Sequence, residues 1–246
     1  MKLSRRDFVP PIVLRATAAV KREIFFAGST GLNSLDLKLI RAINPRKNGY
    51  FVELGANDGI RQSNTYKLQK SYGWSGLLVE PSPSRFRECV VNRDFANRPH
   101  VACAACVPFD FENPFVEIED ADLMSVAKGM DVKDEDAIAH ADAGKKYLGD
   151  TRMRHSYGAL ARTLNSLLAE VGAPSQFDLL SLDVEGNELA VLKGLDFSSY
   201  RPSWILVEVR HDKVGDYLKA QGYQEYTKLW TCDQYADILY QSSSLI

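Results

Sequence analysis

The chain has few cysteines, almost no net charge and no long apolar run, and each of these absences argues against a class of protein. Its four cysteines, Cys89, Cys103, Cys106 and Cys232, are too few for a disulfide framework in 246 residues, so a reducing compartment is expected. The 30 basic and 32 acidic side chains leave a net charge of −2, so no global field attracts nucleic acid. No apolar run reaches the roughly 18 residues that a membrane span needs.

Residues 1–45 are predicted to form an N-terminal helical extension. Arg5 and Arg6 begin like a twin-arginine export signal, but Arg15 and Lys21 interrupt the apolar stretch that such a signal requires. A cytoplasmic location is therefore expected. Residues 12–26 suit an amphipathic helix, which either packs on the protein body or makes a peripheral membrane or partner contact.

Residues 46–246 alternate between strand and helix patterns, which predicts one α/β domain on a parallel sheet. Strands are predicted in "YFVELGA", "SGLLVEPSP", "HVACAACVPF", "QFDLLSLDVEG" and "PSWILVEVRHD". The stretch "YQEYTKLWTCDQYADILYQS" is typical of an antiparallel hairpin, and "FDFENPFVEIED" of a shorter one. An acidic insertion at about 110–157 interrupts the alternation, and it is expected to be a cap or lid, with a solvated loop as the alternative.

Cys103 and Cys106 spell C-x-x-C inside the third predicted strand. Residues three apart on a strand point to opposite faces, and a redox pair needs its first cysteine at the start of a helix. Both side chains are therefore predicted to be small core residues.

The first predicted strand ends in a turn, Glu53-Leu54-Gly55-Ala56-Asn57-Asp58-Gly59, at the sheet edge where parallel α/β proteins bind ligands. Glycine and asparagine tolerate left-handed backbone, so the turn can be tight and a ligand can approach its main chain. Ser63, Asn64 and Thr65 are expected to cap the next helix. The second strand ends in Glu80 and Pro81, about 20 residues after the turn, where an acid accepts the hydroxyls of a ribose.

These features predict a cofactor that contains a nucleoside. A dinucleotide site needs glycine near the helix start to bind a pyrophosphate, whereas this chain has Asp58, Ile60 and Arg61 there, and a carboxylate repels phosphates. S-adenosylmethionine carries a sulfonium and an ammonium and no phosphate. Glu53 and Asp58 favour that charge.

The segments "FVELGANDGIRQSNT", "GLLVEPSP", "TLNSLL" and "DLLSLDVEGNELAVLKGLDF" resemble the successive signatures of the FkbM family of S-adenosylmethionine-dependent methyltransferases, over about residues 50–210. The resemblance implies a Rossmann-like class I methyltransferase fold, α/β, with a mostly parallel seven-stranded sheet, helices on both faces and an antiparallel C-terminal hairpin. It implies that Glu53, Gly55, Asn57 and Gly59 line the methionine end of the cofactor and that Glu80 binds its ribose. The predicted cofactor site also includes Ala56, Asp58, Ser63, Asn64, Pro81 and Asp183.

Acidic residues follow the fourth predicted strand, beside the expected position of the sulfonium. Asp183 and Glu185 point the same way if the strand persists, so either one accepts the proton of an alcohol or both hold a divalent cation such as Mg²⁺. A helix cap by Glu185 or Glu188 is the structural alternative. His211, just past the fifth strand, is the third catalytic candidate, as a base or a ligand, although a polar residue there also suits solvation alone.

The sequence thus predicts an S-adenosylmethionine-dependent O-methyltransferase, and members of the resembled family typically methylate hydroxyls of sugars, glycans or polyketide products. The expected partner is a small-molecule or glycan acceptor and not nucleic acid. Two alternatives remain: a nucleic-acid or other small-molecule methyltransferase, and a non-catalytic S-adenosylmethionine-binding protein. Base methylation commonly uses an Asn/Asp-Pro-Pro-aromatic turn after the fourth strand, where this chain has Asp183-Val-Glu-Gly.

Overall fold

The computed structural model describes residues 28–131, 139, 142, 155–210 and 212–243. Its helices are α1 (Leu35–Ile43), α2 (Tyr66–Tyr72), α3 (Pro83–Asn92), α4 (Leu164–Glu170), α5 (Glu188–Leu192) and α6 (Lys213–Ala220). Its strands are β1 (Tyr50–Leu54), β2 (Ser75–Val79), β3 (His100–Ala102), β4 (Ala105–Cys106), β5 (Phe115–Asp120), β6 (Val126–Ala127), β7 (His155–Arg162), β8 (Gln176–Leu182), β9 (Arg201–Val209), β10 (Tyr223–Thr231) and β11 (Ala236–Ser242). The N-terminal helix predicted over 12–26 lies outside the described residues. None of the helices in the described ranges is both long and apolar enough to cross a bilayer.

The main sheet has seven strands in the order β10-β11-β9-β8-β1-β2-β3. Parallel pairing joins β9, β8, β1, β2 and β3, whereas β11 runs antiparallel to both of its neighbours. The chain leaves β1 towards β2 and β3 and later returns to β8 on the other side of β1. That reversal opens a crevice at the carboxyl ends of β1 and β8. The predicted fold class and C-terminal hairpin are confirmed.

Helices cover both faces of this sheet, which explains why its strands read as continuous apolar runs. Alternate residues of β1 enter different layers, Val52 packing with α4, α5 and α6 and Phe51 with α1, α2 and α3. With both faces buried, the polar groups that remain at the strand ends stand out as candidates for function.

The single strand predicted over "HVACAACVPF" is wrong, because the chain leaves the main sheet after Ala102. The neighbouring β2 offers only Leu77 to Val79 as partners for β3, and β4 pairs instead with β7 in a second sheet. Cys106 is buried in β4, as expected of a core residue, and Cys103 is half-buried between the two strands. All four cysteines are free thiols.

A second, four-stranded sheet in the order β4-β7-β5-β6, here called the cap sheet, contains the described part of the predicted insertion. The hairpin predicted within "FDFENPFVEIED" is wrong, because the segment supplies a single strand, β5. That strand pairs antiparallel with the short β6 that follows it and with β7, from Phe115 opposite Leu160 to Asp120 opposite His155. Val116, Ile118 and Ala159 form its small core. Most of residues 132–154, where the acidic run was predicted to form a loop or lid, lies outside the described residues.

Gly76 allows β1 and β2 to lie in close contact, because a Cβ there would lie 1.9 Å from the carbonyl oxygen of Phe51. We expect Gly76→Ala to lower the free energy of unfolding by about 1–3 kcal/mol or more, through overpacking against backbone that cannot move aside. Gly158→Ala in β7 is the control, since its nearest neighbour would be the Phe115 Cβ at 3.8 Å. Urea denaturation measures the free energy of unfolding of both variants. Equal losses would contradict a close contact between β1 and β2 at Gly76.

Candidate active site

A cleft lies at the carboxyl ends of β1, β2 and β8, between the main sheet and the cap sheet. It encloses about 950 Å³ of space, open solvent at its mouth included. From the main sheet it is lined by the predicted site residues Glu53, Gly55, Asn57, Asn64, Glu80, Pro81, Asp183 and Glu185. From the cap sheet and its loops it is lined by Ile118, Asp122, Ser125, Ala127 and Met130.

The turn after β1 has the left-handed backbone that its sequence predicts, with φ of +78° at Gly55, +47° at Asn57 and +82° at Gly59. A Cβ on Gly55 would lie 2.0 Å from the carbonyl oxygen of Asp183. The loops after β1 and β8 therefore approach so closely that only glycine fits.

Glu80 lies at the floor of the cleft with its carboxylate bonded to main-chain amides. Asn57 N–H donates to Oε2 and Ser82 N–H to Oε1, both at 2.8 Å. Burial raises the pKa of Glu80 to about 7, although both amides and the charge of Arg85 favour the ionised form. Each carboxylate oxygen keeps one lone pair for a further donor, as a ribose diol would require.

Four predicted cofactor residues, Ala56, Asp58, Gly59 and Ser63, do not line the cleft. The Asp58 side chain accepts the N–H groups of Ile60 and Arg61, each at 2.8 Å, and so stabilises the turn. Gly59 packs against the side chain of Arg93, and the Ala56 amide donates to the carbonyl of Val79. These residues shape the turn, and their predicted contact with a cofactor is untested.

Glu53 lines the cleft, but its carboxylate already accepts hydrogen bonds from the residues that follow the turn. It accepts hydrogen bonds from Ser63 Oγ at 2.9 Å, the Asn64 amide at 2.7 Å and Thr65 Oγ1 at 2.7 Å. Thr65, the residue before α2, makes no capping bond with its side chain. Ser63 Oγ accepts the amides of Thr65 and Tyr66 instead, so the expected cap is a network centred on Glu53.

Arg93, at the end of α3, completes this network and is a residue that the sequence did not reveal. Its side chain is 0% exposed, with the guanidinium 3.6 Å from Glu53. It donates to the Gly59 carbonyl at 2.9 Å, Ser63 Oγ at 3.1 Å and Thr65 Oγ1 at 2.9 Å. Burial lowers the pKa of Arg93, yet a guanidinium remains charged in proteins. Nothing in "CVVNRDF" distinguishes this arginine from a surface one.

Asp183 and Asn64 each present an acceptor that lacks a hydrogen-bond partner among the described residues. Asn64 Nδ2 donates to Ser181 Oγ at 3.3 Å, which leaves Oδ1 unpartnered. Asp183 Oδ1 is likewise shielded from solvent and unpartnered. Burial, with the nearby carboxylates of Glu208 and Glu185, raises the pKa of Asp183 well above its usual range. Two unsatisfied acceptors in the lining of one cleft are costly unless a ligand supplies donors.

Asp183 and Glu185 are expected to point the same way only if the strand persists, and that condition is not met, because β8 ends at Leu182. Glu185 has a φ of +57°, and its Oε2 accepts from Arg210 Nη2 at 2.8 Å. No group of three histidine, cysteine or acidic side chains is placed to hold a metal ion in the part of the chain that the structure describes, so the Mg²⁺ alternative has no support.

Two further residues, Glu188 and His211, are candidates from the sequence for a helix cap and for a catalytic residue, respectively. Glu188 Oε1 accepts the amides of Val184 and Gly186, both at 3.1 Å, so this carboxylate stabilises the loop before α5. His211 lies outside the described residues, and its catalytic role stays a prediction.

Strand order, the glycine turn after β1 and the acid after β2 together define a class I methyltransferase fold, in which S-adenosylmethionine is the general methyl donor. The family model of the methyltransferase FkbM domain matches residues 53–225. The chain belongs to this methyltransferase family. A comparison with curated proteins found no match.

Solved structures with a similar arrangement are methyltransferases of low sequence identity. The methyltransferase FkbM from Methylobacillus flagellatus KT is 14% identical, with a TM-score of 0.47 over 90% of this chain, which spans 59% of that chain. The putative methyltransferase yhhF from Escherichia coli is 12% identical, with a TM-score of 0.45 over 89% of this chain and 90% of its own. M. capricolum TrmK, in complex with S-adenosylhomocysteine, is 7% identical, with a TM-score of 0.42 over 84% of this chain and 67% of its own.

The buried Arg93 predicts a large loss of stability on its removal. Arg93→Gln leaves the Glu53 carboxylate buried without its countercharge, and we expect the free energy of unfolding to fall by about 3–5 kcal/mol in chemical denaturation. Adding Glu53→Gln should restore part of the loss. Arg46→Gln is the matched control, because Arg46 pairs with Asp178 at 2.7 Å but is 68% exposed. Its loss should stay below about 1 kcal/mol, and an equal loss in both variants would argue against a buried pair.

Proposed function

We propose that the chain is an S-adenosylmethionine-dependent O-methyltransferase that transfers a methyl group to a hydroxyl of a sugar, a glycan or a secondary metabolite. The observation that carries the proposal is the pair of unpartnered acceptors, Asn64 Oδ1 and Asp183 Oδ1, on the wall of the cleft. An ammonium group has three N–H donors and a positive charge, so it suits both acceptors. The methionine end of S-adenosylmethionine carries such a group.

The rest of the cleft fits a nucleoside. Glu80 offers one free lone pair on each carboxylate oxygen to a ribose diol. Beyond it, the apolar side chains of Ala104, Cys106, Ile118 and Val191 line a wall that suits a flat base. When bound, S-adenosylmethionine would supply the electrophilic methyl group.

Asp183 is the candidate proton acceptor for the alcohol. A carboxylate is a poor base at its usual pKa, whereas burial and the neighbouring acids raise the pKa of Asp183 towards the range in which general bases act. A nearby positive charge favours the ionised form, so cofactor binding prepares the group to accept a proton. Arg210 neutralises Glu185 and Glu208 beside it, through contacts of 2.8 and 2.6 Å.

The acceptor class rests on family resemblance and on the loop after β8. Asp183-Val184-Glu185-Gly186 offers no proline pair or aromatic ring to grip a flipped base, which argues against a nucleic-acid acceptor. A net charge of −2 points the same way. We also propose a cytoplasmic location, with peripheral membrane contact through the N-terminal segment as the alternative.

Two measurements test the proposal in sequence. Isothermal titration calorimetry should detect binding of S-adenosylhomocysteine and no binding of NAD. A site without a phosphate-binding turn does not bind a dinucleotide. Labelled S-adenosylmethionine should then methylate a member of a panel of sugar nucleotides, lipid-linked glycans and polyketide alcohols. Transfer to RNA alone would favour the nucleic-acid alternative, and binding without any transfer would favour a non-catalytic protein.

Glu80 predicts a pH-dependent affinity for S-adenosylhomocysteine. Below pH 7 Glu80 is mostly protonated and cannot accept both ribose hydroxyls, so affinity should rise from pH 6 to 7 and level off above about 8. The slope cannot exceed about tenfold per pH unit for one proton. Glu80→Gln should bind more weakly and with a flatter profile, and an unchanged slope in this variant would remove Glu80 from the ribose site.

Asp183→Asn separates proton transfer from cofactor binding. The amide keeps the shape of the side chain but cannot act as the base, so turnover with a verified acceptor should fall by about 10²- to 10⁴-fold. Affinity for S-adenosylhomocysteine should change by much less, because the substituted amide oxygen and Asn64 Oδ1 still accept hydrogen bonds from its ammonium. Asp216→Asn is the control, since this carboxylate of α6 is 76% exposed and lies outside the cleft lining. Near-normal turnover in Asp183→Asn would exclude it as the base.

A further inference from the structure

One carboxylate from the cap-sheet side contacts two separate parts of the main domain. Asp122, just after β5, has Oδ1 2.6 Å from Arg85 Nη2 and within 3.4 Å of Asn57 Nδ2. Its Oδ2 lies 3.4 Å from Arg61 Nη1. Asn57 and Arg61 belong to the glycine turn and its extension, and Arg85 to α3. The Asp122 side chain is only 3% exposed, so these contacts are shielded from solvent.

The same contacts reach the ribose acid. Asn57 donates its amide N–H to Glu80 and its side-chain Nδ2 to Asp122. The charge of Arg85 also acts on Glu80. Movement of Asp122 therefore disturbs the residues that form the floor of the cleft as well as the cap.

The backbone holds Asp122 in an unusual conformation that aims the carboxylate inward. Its φ is +59°, a left-handed value that aspartate tolerates better than most residues. Ser125 Oγ donates to the Asp122 carbonyl at 2.8 Å, and the Asp122 amide donates to Asp120 Oδ1 at 3.1 Å. The loop is built around this orientation.

A second anchor holds the opposite end of the same segment. Asn187 Nδ2 donates to the Ala127 carbonyl at 3.1 Å, and Asn187 Oδ1 accepts the Asp131 amide at 3.2 Å. The segment from 118 to 131 thus crosses the cleft between Asp122 and Asn187, and Ile118, Ser125 and Ala127 line the cleft along it. Both anchors are buried, and Asp122 also contacts an arginine, Arg61, that is 47% exposed.

We propose that Asp122 is a positioning residue of the cofactor site. It joins the cap sheet to the glycine turn, and its contacts with Arg85 and Arg61 hold the cap-sheet side of the cleft against the turn and α3. The identity of the cofactor rests on the proposed function, whereas the anchoring role of Asp122 does not. Asp122 thereby controls the rate at which the cofactor exchanges.

The test compares Asp122→Asn with wild type by two measurements. Asparagine keeps the shape and the tolerance for left-handed backbone but removes the charge. Stopped-flow should show S-adenosylhomocysteine dissociating about tenfold faster, within the 5- to 150-fold range of coupled sites. Hydrogen exchange without cofactor should be faster at residues 116–128. Glu170→Gln is the control, because this exposed carboxylate of α4 pairs with Arg162 outside both the cleft lining and residues 116–128, and it should change neither measurement.

A double-mutant cycle with Arg85→Gln distinguishes an anchor from a residue that only supports the fold. The two substitutions remove the same contact, so their effects on the dissociation rate should not add. Arg85→Gln alone provides the test if Asp122→Asn does not fold. A lower melting temperature with a dissociation rate within twofold of wild type would overturn the proposal, as would additive effects. Failure of wild type to bind S-adenosylhomocysteine would refute the proposed function, while hydrogen exchange would still decide the role of Asp122.

Discussion

A guanidinium buried beneath the glycine turn is the interaction on which the cofactor edge of the sheet depends. An ion in a protein interior costs several kcal/mol unless it is paired and hydrogen-bonded. Arg93 meets that requirement only when Glu53, Ser63 and Thr65 occupy the positions seen here, and when the carbonyl of Gly59 points inward. These contacts hold the turn in its conformation without help from a ligand. The conformational entropy that is lost on binding is therefore smaller.

The carboxylates at this edge divide into two kinds by their partners. Glu53, Asp122 and Glu185 each contact an arginine, and they organise loops. Glu80 and Asp183 make no ion pair within the described ranges, and both have raised pKa values because of burial. The paired acids stabilise the site, whereas the two unpaired acids have hydrogen-bonding capacity left for a ligand and a proton.

The cap sheet changes what a class I methyltransferase edge can do. In an open α/β sheet the ligand lies in a crevice outside the strand ends. Here residues such as Ile118 and Met130 form the opposite wall of that crevice. That wall therefore comes from the cap sheet and its loops, which contact the main domain through Asp122 and Asn187. Loops that cover a reaction in this way commonly control its rate.

The sequence by itself determined the order of strands and helices, the glycine turn, the acid at Glu80 and the C-terminal hairpin, because strand periodicity and turn chemistry act between near neighbours. Only the tertiary structure decided where the third strand breaks, that Glu185 turns towards Arg210, and that Arg93 is buried. Asp122 and Asn57 are 65 residues apart, and their contact has no local signature. Long-range pairing of buried charges depends on how whole elements pack, and a pattern read along one segment cannot contain that information.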